Sequence, residues 1–119
     1  MSERTQRVAE SIKEEIGRML EKGEIKDPRI GFITLTDVDV SKDLGHARVF
    51  FSALGDEKEK NSAKEGLNSA RGYVRSELGR RLRMKYIPEI EFKFDESVEA
   101  AARISSLLHK LHKSEQEDD

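Results

Sequence analysis

The chain has 119 residues, which allows one domain with one hydrophobic core and excludes two substantial ones. Charged residues make up 39% of the chain and hydrophobic residues 35%, so the core must be small and the surface densely ionic. The net charge of −2 excludes a simple polycation, and the absence of cysteine excludes disulfides, thiolate metal sites and thiol nucleophiles.

The first residues lack the apolar core of a signal peptide, and no run approaches the roughly 20 apolar residues that a bilayer span needs. The lack of cysteine also suits a reducing compartment. We therefore expect a cytoplasmic protein with no membrane partner. Because no long heptad pattern is present, we expect a monomer.

The first predicted element is an amphipathic helix over residues 4–22. Its apolar residues recur at every fourth position, which places them on one face. They are Val8, Ile12, Ile16 and Leu20. Gly23 is expected to end this helix, and Pro28 discourages helix on both sides of itself. The connector should therefore lead the chain into a strand.

A β-hairpin is predicted next, with strands over residues 30–40 and 46–54. The second strand alternates, so one of its faces should meet the core. That face consists of Ala47, Val49, Phe51 and Ala53. The first strand is rich in β-branched residues but changes parity, with Ile33 and Leu35 on one parity and Val38 and Val40 on the other. This change indicates a β-bulge or a change of burial.

Two helices, a strand and a last helix are predicted for the second half. One helix opens near Asp56 and runs to a kink at Ala70-Arg71-Gly72, where the next helix begins. The strand over residues 89–95 alternates strictly, and the last helix covers residues 97–113. Residues 114–119 are acidic and expected to be disordered. The chain is thus expected to form a single domain over residues 1–113 with a short tail at 114–119.

Positive charge is concentrated in the third helix and the residues after it. The segment from Arg71 to Lys85 has six basic residues and one acid, Glu77, although the whole chain has a net charge of −2. Such concentration favours phosphate binding, because each neutralised phosphate releases condensed counterions. From charge alone, a solvated amphipathic helix is the alternative.

An apolar stripe and a basic edge run side by side along the third helix. The edge consists of Arg71, Arg75 and Arg83. Gly79 fills the gap in this edge, where either RNA or another helix could approach closely. Arg80 points nearly opposite the apolar stripe and Arg81 flanks its other side, so not every arginine can touch the same RNA surface.

Several runs of residues, in order along the chain, carry a resemblance to a known family. They are Arg7-Val8-Ala9, Asp27-Pro28-Arg29, Ile33-Thr34-Leu35-Thr36-Asp37-Val38, His46-Ala47-Arg48-Val49, the stretch from Leu67 to Arg83, and then Pro88, Phe92 and Asp95-Glu96-Ser97. Together they resemble the ribosome-binding factor A family over roughly residues 4–112. The predicted order of helix, strand, strand, helix, kink, helix, strand and helix is similar to the type II KH fold. We therefore expect an α+β fold with a three-stranded mixed sheet packed on helices.

The resemblance implies binding to the free, immature small (30S) ribosomal subunit and its 16S ribosomal RNA. It implies support of late maturation, rRNA processing and cold adaptation, without catalysis. We expect no cofactor. Other maturation factors, including GTPases, are possible further partners. Ordinary KH domains clamp nucleic acid with a Gly-x-x-Gly loop between two helices. The family has an Ala-x-Gly interhelical kink instead, which Ala70 and Gly72 match.

The candidate RNA-binding residues are basic residues in the matching runs and in the basic segment. They are Arg7, Arg29, Arg71, Arg75, Arg80, Arg81, Arg83 and Lys85. Arg29 could equally brace the turn after Asp27 and Pro28. Arg48 and Phe50 should project from the outer face of the sheet, where they could stack on bases unless the last helix covers them.

Three other readings are weaker. His109, His112 and Glu115 have a three-residue spacing that could align metal ligands, but surface histidines are the simpler interpretation. Asp37 and Asp39 share a strand face, as the carboxylates of a nuclease might, yet no nucleophile or ligand set accompanies them. We therefore assign no catalytic and no metal residue. A protein-docking adaptor with a KH-like fold, not primarily binding RNA, is the alternative to the RNA-binding function.

Overall fold

The computed structural model describes residues 3–97 and 105–111. Its elements are α1 (Glu3–Glu21), β1 (Ile33–Val40), β2 (His46–Ala53), α2 (Glu57–Ser69), α3 (Arg71–Leu82) and β3 (Glu89–Phe94). Residues 105–111 are also helical. The predicted α+β, type II KH-like order is confirmed. Among the described residues, no helix is long and apolar enough to cross a membrane.

Helix α1 ends at the glycine that the sequence indicates. Gly23 has a φ of +68°, in the left-handed region where glycine is favoured. The Gly23 N–H donates to the Leu20 carbonyl (3.2 Å) and the Glu24 N–H to the Met19 carbonyl (2.9 Å), which is a Schellman motif. The turn reverses the chain and leads it toward the sheet.

The three strands form one mixed sheet in the order β1-β2-β3. Strands β1 and β2 are antiparallel, and β2 and β3 are parallel. The register of β1 on β2 shifts between Leu35 and Asp37, so Thr36 is an extra residue on β1. This bulge resets the parity of the strand. As a result Leu35 opposes Phe51 and Val38 opposes Val49, both of which face the core. The bulge indicated by the sequence is confirmed.

The predicted start of the first strand is wrong by three residues. The strand begins at Ile33, whereas residues 30–32 belong to the connector. Gly31 has a left-handed φ of +62°, and the Ile30 N–H donates to the Asp27 carbonyl (3.1 Å) in a turn. Apolar β-branched composition predicted strand here, but the side chain of Ile30 is buried from a turn instead.

One hydrophobic cluster joins the helices to one face of the sheet. Its fully buried residues include Ile12 and Ile16 of α1, Leu67 of α2, Val74 and Leu78 of α3, and Val49, Phe51 and Phe92 of the sheet. The predicted core face of β2 is therefore confirmed. On its other face Arg48 is exposed and Phe50 is half-buried.

The described part of the last helix exposes two of its three leucines. Leu108 and Leu111 are 46% and 54% exposed, whereas Leu107 is half-buried. The remainder of the predicted helix, residues 98–104 and 112–113, and the predicted tail at 114–119 lie outside the described residues.

Helix α2 is tied to the open edge of β3 by one side chain. The Asn68 Oδ1 accepts from the Phe92 N–H (3.0 Å), and its Nδ2 donates to the Phe92 carbonyl (3.2 Å). The amide thus pairs with β3 as a neighbouring strand would. This contact satisfies buried backbone groups and fixes the end of α2 close to the α2–α3 break.

Candidate nucleic-acid interface

The break between α2 and α3 consists of a single residue. Ala70 has φ −90° and ψ 3°, which is not helical, while Arg71 already begins α3. The Ala70 N–H donates to the Leu67 carbonyl (3.0 Å), and the Ala70 carbonyl accepts from the Val74 N–H (2.9 Å). The residue therefore belongs to the hydrogen-bond networks of both helices, and the chain changes direction without an intervening loop.

Gly72 lies inside the first turn of α3, two residues after the break. A Cβ at this position would meet nothing within 4 Å. Packing against the described residues therefore does not require glycine here. The absence of a side chain leaves the α3 backbone open to solvent beside Arg71.

Two arginines of the basic segment share one carboxylate within the protein. Arg80 and Arg81 both contact Glu77, and these two guanidinium groups, Arg80 first, lower the pKa of the Glu77 carboxyl. Arg81 reaches further, to Glu24 (2.9 Å) and Glu15 (3.7 Å), and only 20% of its side chain is exposed. The hydrogen bond to Glu24 is the main cause that raises the pKa of Arg81. Arg81 therefore links α3 to α1, through Glu15, and to the connector after α1, through Glu24.

Arg75 holds the connector between α3 and β3. Its Nε and Nη2 both donate to the Ile87 carbonyl (3.2 and 3.0 Å), and its Nη1 is 3.2 Å from Glu89 Oε1. A Cβ on Gly79 would lie 3.4 Å from the Ile87 side chain. The spot that the sequence left open to either RNA or a helix is thus occupied by this connector.

Three cations of the segment from Arg71 to Lys85 form no ion pair with a carboxylate within residues 3–97 and 105–111. They are Arg71, Arg83 and Lys85, all exposed, and we call them the exposed cation trio. Arg71 donates through Nε to the Asn68 carbonyl (3.1 Å), and Lys85 Nζ is 5.7 Å from the Tyr86 ring centre. Arg83 has a left-handed φ of +52° and ends α3. Because α3 has 12 residues, Arg71 and Arg83 lie about 18 Å apart along the helix axis.

Arg29 braces the connector before β1, as one of its two readings anticipated. Its backbone N–H and its Nε both donate to Asp27 Oδ1, and its Nη2 donates to Asp27 Oδ2 (2.7 Å) and Ser69 Oγ (2.9 Å). The guanidinium lowers the pKa of the Asp27 carboxyl from 3.8 to about 2. Arg29 still exposes 42% of its side chain next to the end of α2, so its predicted RNA contact stays a prediction.

Arg7 lies apart from the other candidates, in the second turn of α1. Its Nη2 pairs with Glu3 Oε1 at 3.0 Å, with 77% of its side chain exposed. In the part of the chain that the structure describes, no contact ties Arg7 to α3. The structure thus gathers the candidates from Arg71 to Lys85 on α3 and its connector, places Arg29 beside Ser69, and leaves Arg7 on α1.

Exposed aromatic residues next to the basic segment were missed by sequence reasoning. Tyr73 is 44% exposed on α3, and Tyr86 is 74% exposed in the connector after it. The available signal was an aromatic residue interleaved with basic ones, as in the run Arg83-Met84-Lys85-Tyr86. Asn68 lies in the resembling stretch from Leu67 to Arg83, but nothing in its local sequence pattern indicates the contact to β3.

The metal and nuclease readings gain nothing from the structure. Over the described ranges, no group of three or more His, Asp or Glu side chains is placed to hold a metal ion. His112 and Glu115 lie outside those ranges. Asp39 pairs across the sheet with Arg48 (2.8 Å), and Asp37 accepts from the Val38 N–H (2.9 Å). Both carboxylates thus have local partners on the sheet.

The sequence is similar to a known protein family and to named relatives over nearly its whole length. The family model of ribosome-binding factor A matches residues 4–108. A ribosome-binding factor A of Geotalea uraniireducens is 49% identical over 119 residues, covering 100% of this chain and 97% of the relative. That of Halothermothrix orenii is 49% identical over 116 residues, covering 98% of this chain and 94% of the relative.

Solved structures resemble the fold as well. A solution NMR structure of a Thermotoga maritima protein, named as a candidate ribosome binding factor A, has a TM-score of 0.71 at 32% identity and covers 84% of this chain and 94% of its own. The crystal structure of ribosome-binding factor A from Thermus thermophilus has a TM-score of 0.64 at 27% identity, with coverages of 75% and 93%. A homology model of the Thermus thermophilus factor, fitted into a cryo-EM map of its complex with 30S, has a TM-score of 0.55 at 27% identity, with coverages of 78% and 92%.

Proposed function

The chain belongs to the ribosome-binding factor A family, and on this basis we propose that it binds the free, immature small ribosomal subunit through 16S ribosomal RNA. It acts there in the cytoplasm as a non-catalytic factor that supports late maturation and rRNA processing, especially in the cold. Other maturation factors, including GTPases, work beside it. The similarity to a Thermus thermophilus factor fitted into a 30S complex supports the choice of the small subunit.

One observation supports the location of the RNA-binding surface on α3 and the connector after it. The exposed cation trio lies along α3 and its connector, while Arg75, Arg80 and Arg81 of the same segment contact Glu89 or Glu77. A cation already paired with a carboxylate must exchange that partner before it binds a phosphate, whereas the trio has no such cost. The trio is therefore expected to dominate the salt-dependent part of binding.

Contacts between these cations and RNA phosphates recognise the shape of folded RNA more than its sequence. A factor that binds one conformation of the subunit better than another shifts the subunit toward that conformation. Maturation can thus be supported by binding energy alone, which fits a protein for which we assign no catalytic residue.

The test is the affinity of the full chain for purified small subunits over a range of salt concentrations. The triple variant Arg71→Ala, Arg83→Ala, Lys85→Ala should reduce the magnitude of the negative slope of log K against log salt by about 2 to 3, since each lost phosphate contact removes about 0.7 to 0.9. A matched triple variant of exposed lysines elsewhere, Lys22→Ala, Lys58→Ala, Lys64→Ala, removes the same charge.

The control variant should keep the wild-type slope. Equal losses in both variants would mean that net charge, and not this surface, governs binding. Wild-type chain that fails to bind small subunits, but is retained by a protein partner after ribonuclease treatment, would favour the adaptor function instead.

A further inference from the structure

Tyr86 is the most exposed aromatic side chain among the described residues, at 74%. Single exposed apolar residues are common on protein surfaces and need no explanation by themselves. Tyr86 differs because of the segment that contains it. From Leu78 to Pro88 the chain has four basic residues and no acid. An aromatic ring is thus presented to solvent from the most cationic stretch of an acidic chain.

The connector that carries Tyr86 follows directly on the end of α3 and is anchored where it meets β3. On one side Arg83 ends α3 with a left-handed backbone. On the other side the Ile87 carbonyl accepts two N–H groups of Arg75, and Pro88 is fully buried. The Glu89 N–H then donates to the Gly45 carbonyl (2.9 Å). The backbone next to Tyr86 is therefore held in place, so binding through its ring costs little ordering of the loop.

The charges around the ring suit a nucleotide. Lys85 Nζ lies 5.7 Å from the ring centre of Tyr86, which is within the range of a cation–π contact. Arg83 and Lys85 both belong to the exposed cation trio. An aromatic face flanked by cations can stack on a base while the cations bind the neighbouring phosphates.

We propose that Tyr86 stacks on an unpaired nucleobase of the bound RNA, with Arg83 and Lys85 on the flanking phosphates and Arg75 as the positioning residue of the connector. This inference rests on the proposed function, because it specifies the kind of RNA that the same surface binds. It makes a single-stranded nucleotide, in a loop, a bulge or at an end, part of the binding site. Base-paired RNA keeps its bases stacked inside the helix and offers no such partner.

A series of side chains at position 86 tests the stacking. Affinities of the full chain for purified small subunits are compared for wild type and for Tyr86→Phe, Tyr86→Trp and Tyr86→Leu. The Leu variant should bind about tenfold more weakly, within a range of about 5- to 150-fold for the loss of one stacked base. The Phe and Trp variants should stay within about twofold of wild type, because they keep an aromatic face.

Two further readings separate stacking from electrostatics and from folding. Tyr86→Leu should leave the salt slope unchanged, whereas Lys85→Ala should lower it by about 0.7 to 0.9. Thermal unfolding should be unaltered in Tyr86→Leu, because the ring is exposed. Phe32→Leu is the matched control, since Phe32 is 53% exposed and precedes β1 at the opposite end of the sheet. It should leave the affinity unchanged.

The identity of the contact is tested by crosslinking. A benzophenone side chain placed at position 86 should give an adduct with RNA that ribonuclease shortens. A ribonuclease-resistant adduct with a ribosomal protein would overturn the proposal. The proposal would also be overturned if wild type bound strongly and with salt dependence, and Tyr86→Leu bound within twofold of it. In that case the proposed function would stand. Wild-type chain that does not bind small subunits would overturn both.

Discussion

The contact between Asn68 and β3 gives the sharpest prediction about how the candidate interface is held. Asn68→Ala removes both hydrogen bonds to Phe92, at 3.0 and 3.2 Å, and leaves a buried N–H and carbonyl without these partners. Each lost bond costs about 0.5 to 1.5 kcal/mol, and each unsatisfied buried group about 1 to 3 kcal/mol. Because these contributions overlap, we expect a loss of about 3 kcal/mol in the free energy of unfolding.

Urea unfolding followed by circular dichroism measures this loss directly. The control is Asn61→Ala, the same substitution at an exposed position of the same helix, α2. It should change the free energy of unfolding by less than about 0.5 kcal/mol. Equal destabilisation by Asn68→Ala and Asn61→Ala would refute a stabilising role of the Asn68 contact. A loss of about 3 kcal/mol is a large part of the 5 to 15 kcal/mol typical of small proteins, so the variant should be assayed well below its lowered Tm.

Three further predictions concern packing, acid stability and the ion pairs. Gly66→Ala places a methyl group 2.9 Å from the Ile30 side chain, in the connector between α1 and β1, and should destabilise the protein by about 1 to 3 kcal/mol. Gly17→Ala, which meets nothing within 4 Å, should be neutral or stabilising in the same urea titration. Arg29 lowers the pKa of Asp27 to about 2, so this carboxylate contributes stability above pH about 4 that is lost as the pH falls through about 2. Unfolding midpoints of Asp27→Asn should therefore fall less steeply than those of wild type over that range, and an equally steep fall would contradict the assignment. Arg81→Met should lower Tm yet leave the salt slope of subunit binding unchanged, because its charge is already compensated; a reduced slope would show that Arg81 contacts RNA.

Much of the fold could be predicted from periodicity alone. The four-residue spacing in α1 and the alternation in β2 and β3 identified faces that are buried in the structure. The parity change in β1 identified the bulge, because only an extra residue lets Leu35 and Val38 face the same side of the sheet. The start of β1 was wrong, since composition does not reveal that Gly31 has a left-handed backbone.

The candidate site was predicted less completely, because charge is local in sequence but its compensation is not. Arg81 is one of the six basic residues between Arg71 and Lys85, yet its partner Glu24 lies 57 positions away in the sequence. Similarly, Gly79 is covered by Ile87, which lies in the connector that Arg75 contacts. Counting charges therefore identified the segment, whereas the contacts decide which of its cations remain available.

Base stacking by Arg48 and Phe50, on the outer face of the sheet, is a separate hypothesis. Arg48 is paired with Asp39, and Phe50 is only half-buried. Base stacking by these residues stays a prediction. The cation beside the Phe50 ring, Arg48, already has a carboxylate partner, whereas the cations beside Tyr86 have none among the described residues.

The most direct test of the central claim is sedimentation of the tagged full chain through sucrose gradients of bacterial lysate at low and high salt. We predict co-migration with free small subunits, absence from complete ribosomes, and a marked decrease of the bound fraction at high salt. Migration only with soluble proteins at both salt concentrations would contradict it.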